Sequence, residues 1–193
     1  MTRRGVDLDG AGVRGLLREL SDRLAARGVV AQLFVVGGAA MALAFDSGRV
    51  TRDVDAVFVP APEVRQVAEE MGTERGLEPD WLNDAAKGFL PGPDERPETV
   101  FESEWLLVQV PSVEYLLALK LFASRGERDL DDSVTLFMLA GYTTAQEGID
   151  LLAATYPVTR LLPKHRYVVH EVARRAETRR EDQGIDPRPD GDG

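Results

Sequence analysis

Apolar and polar positions follow helix and strand periods along the first half of the chain. After a polar N-terminal arm, apolar residues three and four apart predict a core-facing helix, and Gly28 is placed to end it. Ala31 to Val36, a continuous apolar run, is typical of a strand buried on both faces. The elements predicted here are a helix over residues 13–25, a strand over 31–36, a short apolar helix over 39–45, a strand over 53–59 and a helix over 62–75.

The second half begins irregularly and becomes helical. Residues 78–97 contain several glycines and prolines, and within them Trp81 to Leu90 predicts one short helix leading into a loop. Two strands, over 99–101 and 105–110, are expected to form a hairpin around residues 102–104. Four helices are then predicted, over residues 113–124, 127–140, 144–154 and 163–180.

This order of elements predicts an α/β or α+β fold, a sheet flanked by helices with an all-helical C-terminal part. We expect a core over residues 1–111, a helical part over 112–180 packed on that core, and a disordered acidic tail over 181–193, which is rich in Asp, Gly and Pro. The length of 193 residues is sufficient for one well-packed core.

Composition narrows the function classes. The chain has no cysteine, so disulfides and thiolate metal sites are excluded, and carboxylates and two histidines remain as strong side-chain ligands. No stretch approaches the roughly 20 apolar residues of a membrane span. The start Met1-Thr2-Arg3-Arg4 leads into polar sequence rather than a signal peptide. We therefore expect a cytoplasmic protein without a membrane partner.

Two aspartates alternate on the second predicted strand. Asp53 and Asp55 are two residues apart, so both side chains should project from the same face of a sheet. Neighbouring carboxylates repel each other unless a cation neutralises them, and such a site suits Mg²⁺ or Mn²⁺. In an isolated Asp-x-Asp, two solvated side chains on an edge strand would be the simpler interpretation.

Groups that favour phosphate precede this pair. Gly37-Gly38 ends one strand and opens a helix, where backbone N–H groups and the helix dipole attract anions. Arg49 and Thr51 add a cation and a hydroxyl just before the aspartates. Together these residues indicate a site for a metal-bound nucleoside triphosphate.

The segment from Gly37-Gly38 to Asp53-Val54-Asp55 resembles the signature of the nucleotidyltransferase superfamily, whose members share the sheet architecture of DNA polymerase beta. Arg49-x-Thr51-x-Asp53-x-Asp55 is similar more narrowly to a bacterial branch of unknown function, close to the nucleotidyltransferase toxins of the abortive-infection type. The resemblance covers roughly residues 35–140. It implies a mixed sheet, Mg²⁺ or Mn²⁺ held by Asp53 and Asp55, and transfer of a nucleoside monophosphate from a triphosphate with release of pyrophosphate.

The same resemblance implies functional roles for Lys120 and Asp132. The predicted helix around Lys120 is apolar almost all round, so a lysine buried there needs a counter-charge unless it extends to the surface. The resemblance implies that its ammonium holds the triphosphate. It also implies that Asp132, rather than Asp129, pairs with Lys120 or faces the active site, although acidic residues in a first helical turn are favoured by the dipole alone.

Two positions depart from the family's pattern. Ala39 follows the glycines where a serine is usual, which removes one hydroxyl from the phosphate site. Polymerase-like members carry a third carboxylate on a later strand, where the polar residue of this chain is Gln109. Glu102 and Glu104 lie only in the adjoining turn. Either two carboxylates suffice, or activity is weak or lost and the chain is a nucleotide- or partner-binding module.

The acceptor of the nucleotide is left open. The resemblance to toxins implies the 3′ end of tRNA, held by the basic helix over residues 163–180, and a cognate antitoxin. The net charge of −10 fits a small cationic, aminoglycoside-like acceptor better.

Remaining polar side chains suggest no separate site. Asn83, Asp84 and Lys87 have either a substrate role or a solvated position, and His165 and His170 have a poor spacing for a shared metal and are predicted to be structural.

Overall fold

A computed structural model describes residues 7–124 and 126–184 of the chain. The N-terminal arm up to residue 6, Arg125 and the last nine residues of the predicted acidic tail, 185–193, lie outside the described residues. The elements are α1 (Gly10–Ala26), β1 (Ala31–Val35), α2 (Gly37–Ala40) continued by a π-helical turn (Met41–Phe45), β2 (Val54–Val59), α3 (Ala61–Arg75), β3 (Leu82–Asn83), a 3-10 turn (Ala85–Gly88), β4 (Glu98–Glu102), β5 (Leu106–Val110), α4 (Val113–Ala123), α5 (Glu127–Leu139), α6 (Ala145–Thr155), a 3-10 turn (Val158–Arg160) and α7 (Pro163–Gln183).

The predicted α+β class is confirmed. Within the described residues, five strands form one mixed sheet in the order β3-β2-β1-β5-β4, and the C-terminal part is helical. Strand β1 pairs antiparallel with β2 and parallel with β5, β4 is antiparallel to β5, and β3 is parallel to β2. Helix α7 continues through Gln183, beyond its predicted end at Arg180 and into the segment expected to be disordered.

The prediction that β1 is buried on both faces is wrong. Ala31, Leu33 and Val35 are buried, whereas Gln32 is exposed and Phe34 is half-buried. Gln32 interrupts the apolar run, and a period of two then separates one buried face from one polar face. Since Phe34 pairs with Val57 of β2 and with Gln109 of β5, the second face is the one that carries Asp55.

The helix predicted over Trp81 to Leu90 is also wrong for most of its length. Leu82 and Asn83 pair with Val54 and Asp55 as β3, and only Ala85–Gly88 is helical. The Trp81 side chain is buried and its Nε1–H donates to the carbonyl oxygen of Ala68 at 2.8 Å. Pairing with β2 overrides local helix propensity here, which a window of sequence cannot detect.

The hairpin of β4 and β5 is confirmed. The two strands pair in antiparallel register, with an irregularity between Thr99 and Phe101. In the connecting turn, the Ser103 hydroxyl accepts hydrogen bonds from the backbone N–H groups of Trp105 (3.1 Å) and Leu106 (2.9 Å). The hydroxyl thereby satisfies backbone donors at the turn.

The chain divides into two compact units after Ser112. In the second unit, His165 has the structural environment predicted for it. Its Nδ1 accepts from the backbone N–H of Leu162 at 2.9 Å, and its ring stacks on Phe122 with centroids 4.7 Å apart. Burial lowers the pKa of His165, reinforced by the charge of Lys164, and burial raises the pKa of Tyr156, which stacks on the same phenyl ring, to about 12.

His165 should give the protein a stability that falls in mild acid. Because its pKa is lowered in the folded state, the unfolded chain takes up a proton first, and the free energy of unfolding decreases as pH falls from about 6.5 through the folded-state value. Above that range its contribution is fully present.

Urea unfolding of His165→Gln between pH 8 and pH 5 should show a shallower dependence of the free energy of unfolding on pH than wild type. The exposed His170, on the same helix, is the control, because His170→Gln should keep the wild-type slope. An unchanged slope in His165→Gln would contradict this assignment.

Candidate functional site

The Gly37-Gly38 turn joins β1 to the helical segment that ends at Phe45. Helix α2 begins at Gly37, two residues before the predicted start at Ala39, and passes into a π-helical turn at Met41. Gly37 has φ +66°, a left-handed conformation that residues with a side chain rarely adopt. A Cβ placed on it would lie 3.0 Å from Asp55 Oδ2. The backbone of the turn therefore lies directly against the Asp55 carboxylate.

The second glycine lies against the loop that follows the helical segment. A Cβ placed on Gly38 would be 2.9 Å from Thr51 Oγ1 and 3.4 Å from Arg49 Nη2. Thr51 is buried, and Arg49 Nη1 donates to the carbonyl oxygen of Val50 at 2.5 Å. This close approach requires glycine and brings a guanidinium and a hydroxyl to the start of α2.

Thr51 connects this turn to the first aspartate. Its Oγ1 lies 3.0 Å from the carbonyl oxygen and 3.2 Å from Oδ1 of Asp53. Asp53 is exposed immediately before β2, and Asp55 is half-buried within it. Both aspartates are thus linked to the same glycine turn, Asp55 through Gly37 and Asp53 through Thr51. The structure brings together six residues predicted from the sequence: Gly37, Gly38, Arg49, Thr51, Asp53 and Asp55.

The donor chemistry of this site fits Mg²⁺ or Mn²⁺. In residues 7–124 and 126–184, no group of three or more His, Asp or Glu side chains is arranged to hold a metal ion. Mg²⁺, however, is commonly held by one or two carboxylates, with substrate phosphates and water completing its coordination. Asp53 and Asp55 are the side chains that would hold it.

Gln109 is the residue at which the resemblance implies a third carboxylate, and its side chain is an amide. Gln109 lies opposite Phe34 on the sheet face of Asp55. Glu102 pairs with Leu107, which is in register with Gln32 toward the start of β1, and so lies toward the other end of the sheet from Asp55. Glu104 follows in the turn at that end. In this register, therefore, neither Glu102 nor Glu104 lies at the end of the sheet where Asp53 and Asp55 are found.

Lys120 and Asp132 form a buried ion pair within the second unit. The ammonium donates to Asp132 Oδ2 at 2.7 Å and to Asp129 Oδ1 at 3.1 Å. Lys120 is 8% exposed and Asp132 is 3% exposed, so the lysine does not extend into solvent. The counter-charge expected for a buried lysine is present. Asp132 was the predicted partner, and Asp129 is a second acceptor.

The polar residues after β2 take three different positions. Asn83 is in register with Asp55 on the neighbouring strand, and its Oδ1 accepts from the N–H of Ala85 at 3.0 Å. Asp84 accepts from Arg65 at 2.9 Å. Lys87 is exposed on the 3-10 turn. Of the three, only Asn83 is adjacent in the sheet to a candidate site residue.

Several arginines of α7 are engaged within the second unit. Arg174 and Arg175 donate to Glu171 and lower its pKa to about 2, and Arg175 also pairs with Glu127 at 2.7 Å. Arg179 donates to Thr135 at 3.1 Å. The buried Arg180 donates to the carbonyl oxygen of Tyr142 at 2.5 Å. Lys164 and Arg166, by contrast, are exposed.

The sequence did not predict the contacts that Leu8 and the first turns of α1 make with the segment between Gly37 and Thr51. Leu8 and Thr51 exchange backbone hydrogen bonds, N–H to carbonyl, at 2.7 Å and 2.8 Å. Arg14 Nη2 donates to the carbonyl oxygen of Leu43 at 2.7 Å. The residues are about 40 and 30 positions apart, so no local pattern could have indicated either pairing.

Comparison with family models, curated proteins and solved structures finds no match to this chain. Among the helices of the described residues, none combines the length and apolar character needed to cross a membrane. The α+β class and the site geometry are therefore the basis for a function.

Proposed function

We propose that the chain is a metal-dependent nucleotidyltransferase. The observation that carries the proposal is the continuous set of contacts from Asp55 through Gly37, Gly38 and Thr51 to Asp53. It combines two carboxylates with bare backbone and an arginine at one place, and these are the groups that a metal-bound triphosphate requires. Two solvated aspartates on an edge strand would not need the close approach at both glycines.

Each group has a role in this proposal. Asp53 and Asp55 hold the ion, which supplies charge neutralisation and orientation when bound. The Gly37 and Gly38 backbone, Arg49 and Thr51 bind the phosphates. An acceptor hydroxyl attacks the α-phosphorus and releases its proton to solvent. The bond from that phosphorus to the bridging oxygen breaks, and its electron pair leaves with pyrophosphate. The protein's contribution is mainly positioning and electrostatic stabilisation.

The triphosphate-binding role that the resemblance implies for Lys120 stays a prediction. The observed acceptors of its ammonium are Asp132 and Asp129, in the same unit. Asp132 would then act by holding the ammonium rather than by touching the substrate.

The test is transfer of label from each α-labelled nucleoside triphosphate, with Mg²⁺ or Mn²⁺ and total cellular RNA or aminoglycosides as acceptors. Labelled acceptor and released pyrophosphate in equal amounts are expected. Absence of transfer together with absence of metal-dependent nucleotide binding would overturn the proposal. Nucleotide binding without transfer would instead support the non-catalytic module that the amide of Gln109 favours.

The acceptor has two candidate classes. A toxin-like enzyme would modify the tRNA 3′ end and be neutralised by an antitoxin. Four arginines of the helix expected to hold tRNA are engaged inside the second unit, which favours a small cationic acceptor. Competition between tRNA and an aminoglycoside for label distinguishes them, and preferential labelling of tRNA, weakened by Lys164→Ala and Arg166→Ala, would favour the toxin-like alternative.

A further inference from the structure

The residues at the start of α1 make three separate contacts with the segment that carries the candidate site. Leu8 pairs with Thr51 through two backbone hydrogen bonds. Gly10 packs so closely on the carbonyl oxygen of Ala42 that a Cβ there would clash with it. Arg14 donates to the carbonyl oxygen of Leu43 at 2.7 Å. We call Leu8, Gly10 and Arg14 the N-terminal clamp.

The contacts of Gly10 and Arg14 are made with the π-helical turn at the end of the helical segment. Ala42 and Leu43 lie in the π-helical turn that follows α2. A π turn departs from the ordinary i→i−4 pattern, and carbonyl groups near a helix end need partners from elsewhere. The Arg14 guanidinium supplies such a partner for Leu43, and Gly10 lets α1 approach the neighbouring carbonyl. The clamp therefore stabilises the end of the segment that begins at Gly37.

The third contact acts on the loop that lies against Gly38 through Thr51 and Arg49. Thr51 is held by Leu8 through its backbone, which leaves its hydroxyl directed at Asp53 and lying against Gly38. A further ion pair, Arg52 to Asp7 at 3.1 Å, lies next to this bridge. One short stretch of chain thus restrains both the helical segment and the loop whose contact at Gly38 forms the site.

We propose that the N-terminal clamp is a positioning device for nucleotide binding, in which Arg14 and Gly10 set the spacing between the Gly37-Gly38 turn and the Arg49–Thr51 loop. Arg14 is a positioning residue and not a catalytic one, since it acts through Leu43. This inference depends on the proposed function, because the ligand it positions is the triphosphate.

The experiment measures the Kd of the full chain for ATP, GTP, CTP and UTP with Mn²⁺, well below the unfolding temperature. For the nucleotide that wild type binds most tightly, Arg14→Ala should raise the Kd about five- to tenfold, the equivalent of one lost hydrogen bond. Arg14→Lys, which can still donate to Leu43, should recover part of the affinity. Gly10→Ala, a second disruption of the clamp, should weaken binding as well. Amide hydrogen exchange over residues 38–51 should be faster in Arg14→Ala than in wild type.

Two controls separate positioning from general loss of stability. Arg18 lies one turn further along α1, is exposed and makes no hydrogen bond or ion pair within the described residues, so Arg18→Ala should leave the Kd unchanged. Leu24→Ala leaves a cavity at the far end of α1, where the side chain is fully buried, and should destabilise the fold while leaving the Kd of the folded protein unchanged.

Failure of the clamp proposal can be distinguished from failure of the proposed function. If wild type binds nucleotide and the Kd of Arg14→Ala stays within twofold of it, the clamp is not a positioning device, while the proposed function stands. The same conclusion follows if Leu24→Ala weakens binding as much as Arg14→Ala. If wild type binds no nucleotide, both the proposed function and the inference are overturned.

Discussion

Replacement of Asp55 with asparagine is expected to reduce nucleotide transfer about 10³-fold, because a carboxylate that holds a metal contributes several kcal/mol to transition-state stabilisation and each 1.4 kcal/mol is tenfold in rate. Asparagine has nearly the same shape and keeps the contact with Gly37, so the fold should be retained. Asp53→Asn should have a similar effect. The measurements are kcat/KM for the triphosphate with saturating Mg²⁺ and the Kd for Mn²⁺.

A matched control removes one negative charge elsewhere. Asp22 is exposed on α1, and Asp22→Asn should leave both the rate and Mn²⁺ affinity at wild-type values. Equal transfer by wild type and by both site variants would mean that Asp53 and Asp55 do not hold the catalytic metal. In that case the close contacts at the two glycines would serve packing alone.

Replacement of Lys120 with methionine is expected to lower the free energy of unfolding by about 3–5 kcal/mol, the usual cost of removing one member of a buried ion pair. Asp132, at 3% exposure, loses the ammonium that lies 2.7 Å from it. Asp129 is more exposed and can be solvated, so it should contribute little to the loss. Urea unfolding at pH 7 measures the effect.

A double variant tests the cause. Lys120→Met combined with Asp132→Leu removes both charges and should recover most of the lost stability, since a buried ion pair can often be replaced by apolar side chains at little cost. A single variant that loses less than about 1 kcal/mol would contradict the buried-pair interpretation. If the stable double variant also binds triphosphate less tightly than wild type, Lys120 has a role in binding in addition to its role in the fold.

Most element boundaries followed from local pattern. The helices α3 to α6 and the β4–β5 hairpin lie close to their predicted ranges. Helix hydrogen bonds are satisfied within the segment, and a turn such as that at Ser103 depends on neighbouring residues, so periodicity and turn chemistry suffice. The helix prediction was wrong at Leu82 and Asn83, because their hydrogen-bond partners lie about 28 residues away in β2.

The candidate site shows the same division. The residue types were predicted because glycine, arginine and paired aspartates each have a distinct chemistry and a short spacing. Their mutual contacts were not predictable, because the approach of Thr51 to Gly38 depends on how the intervening π-helical turn ends. Likewise, the basic content of α7 was evident, but Glu127 and Tyr142, which accept hydrogen bonds from Arg175 and Arg180, lie outside that helix and reduce its capacity to bind an anion.

By itself the sequence determined the α+β class, the helical C-terminal part and the set of polar residues that could form a site, since periodicity and residue chemistry are properties of neighbouring positions. Only the tertiary structure decided which face of β1 is covered, which acidic residues reach Lys120, that Leu8 holds the loop at Thr51, and that Arg14 holds the helical segment at Leu43. These are contacts between residues far apart in the chain, and their geometry is set by packing and hydrogen-bond satisfaction across the whole unit.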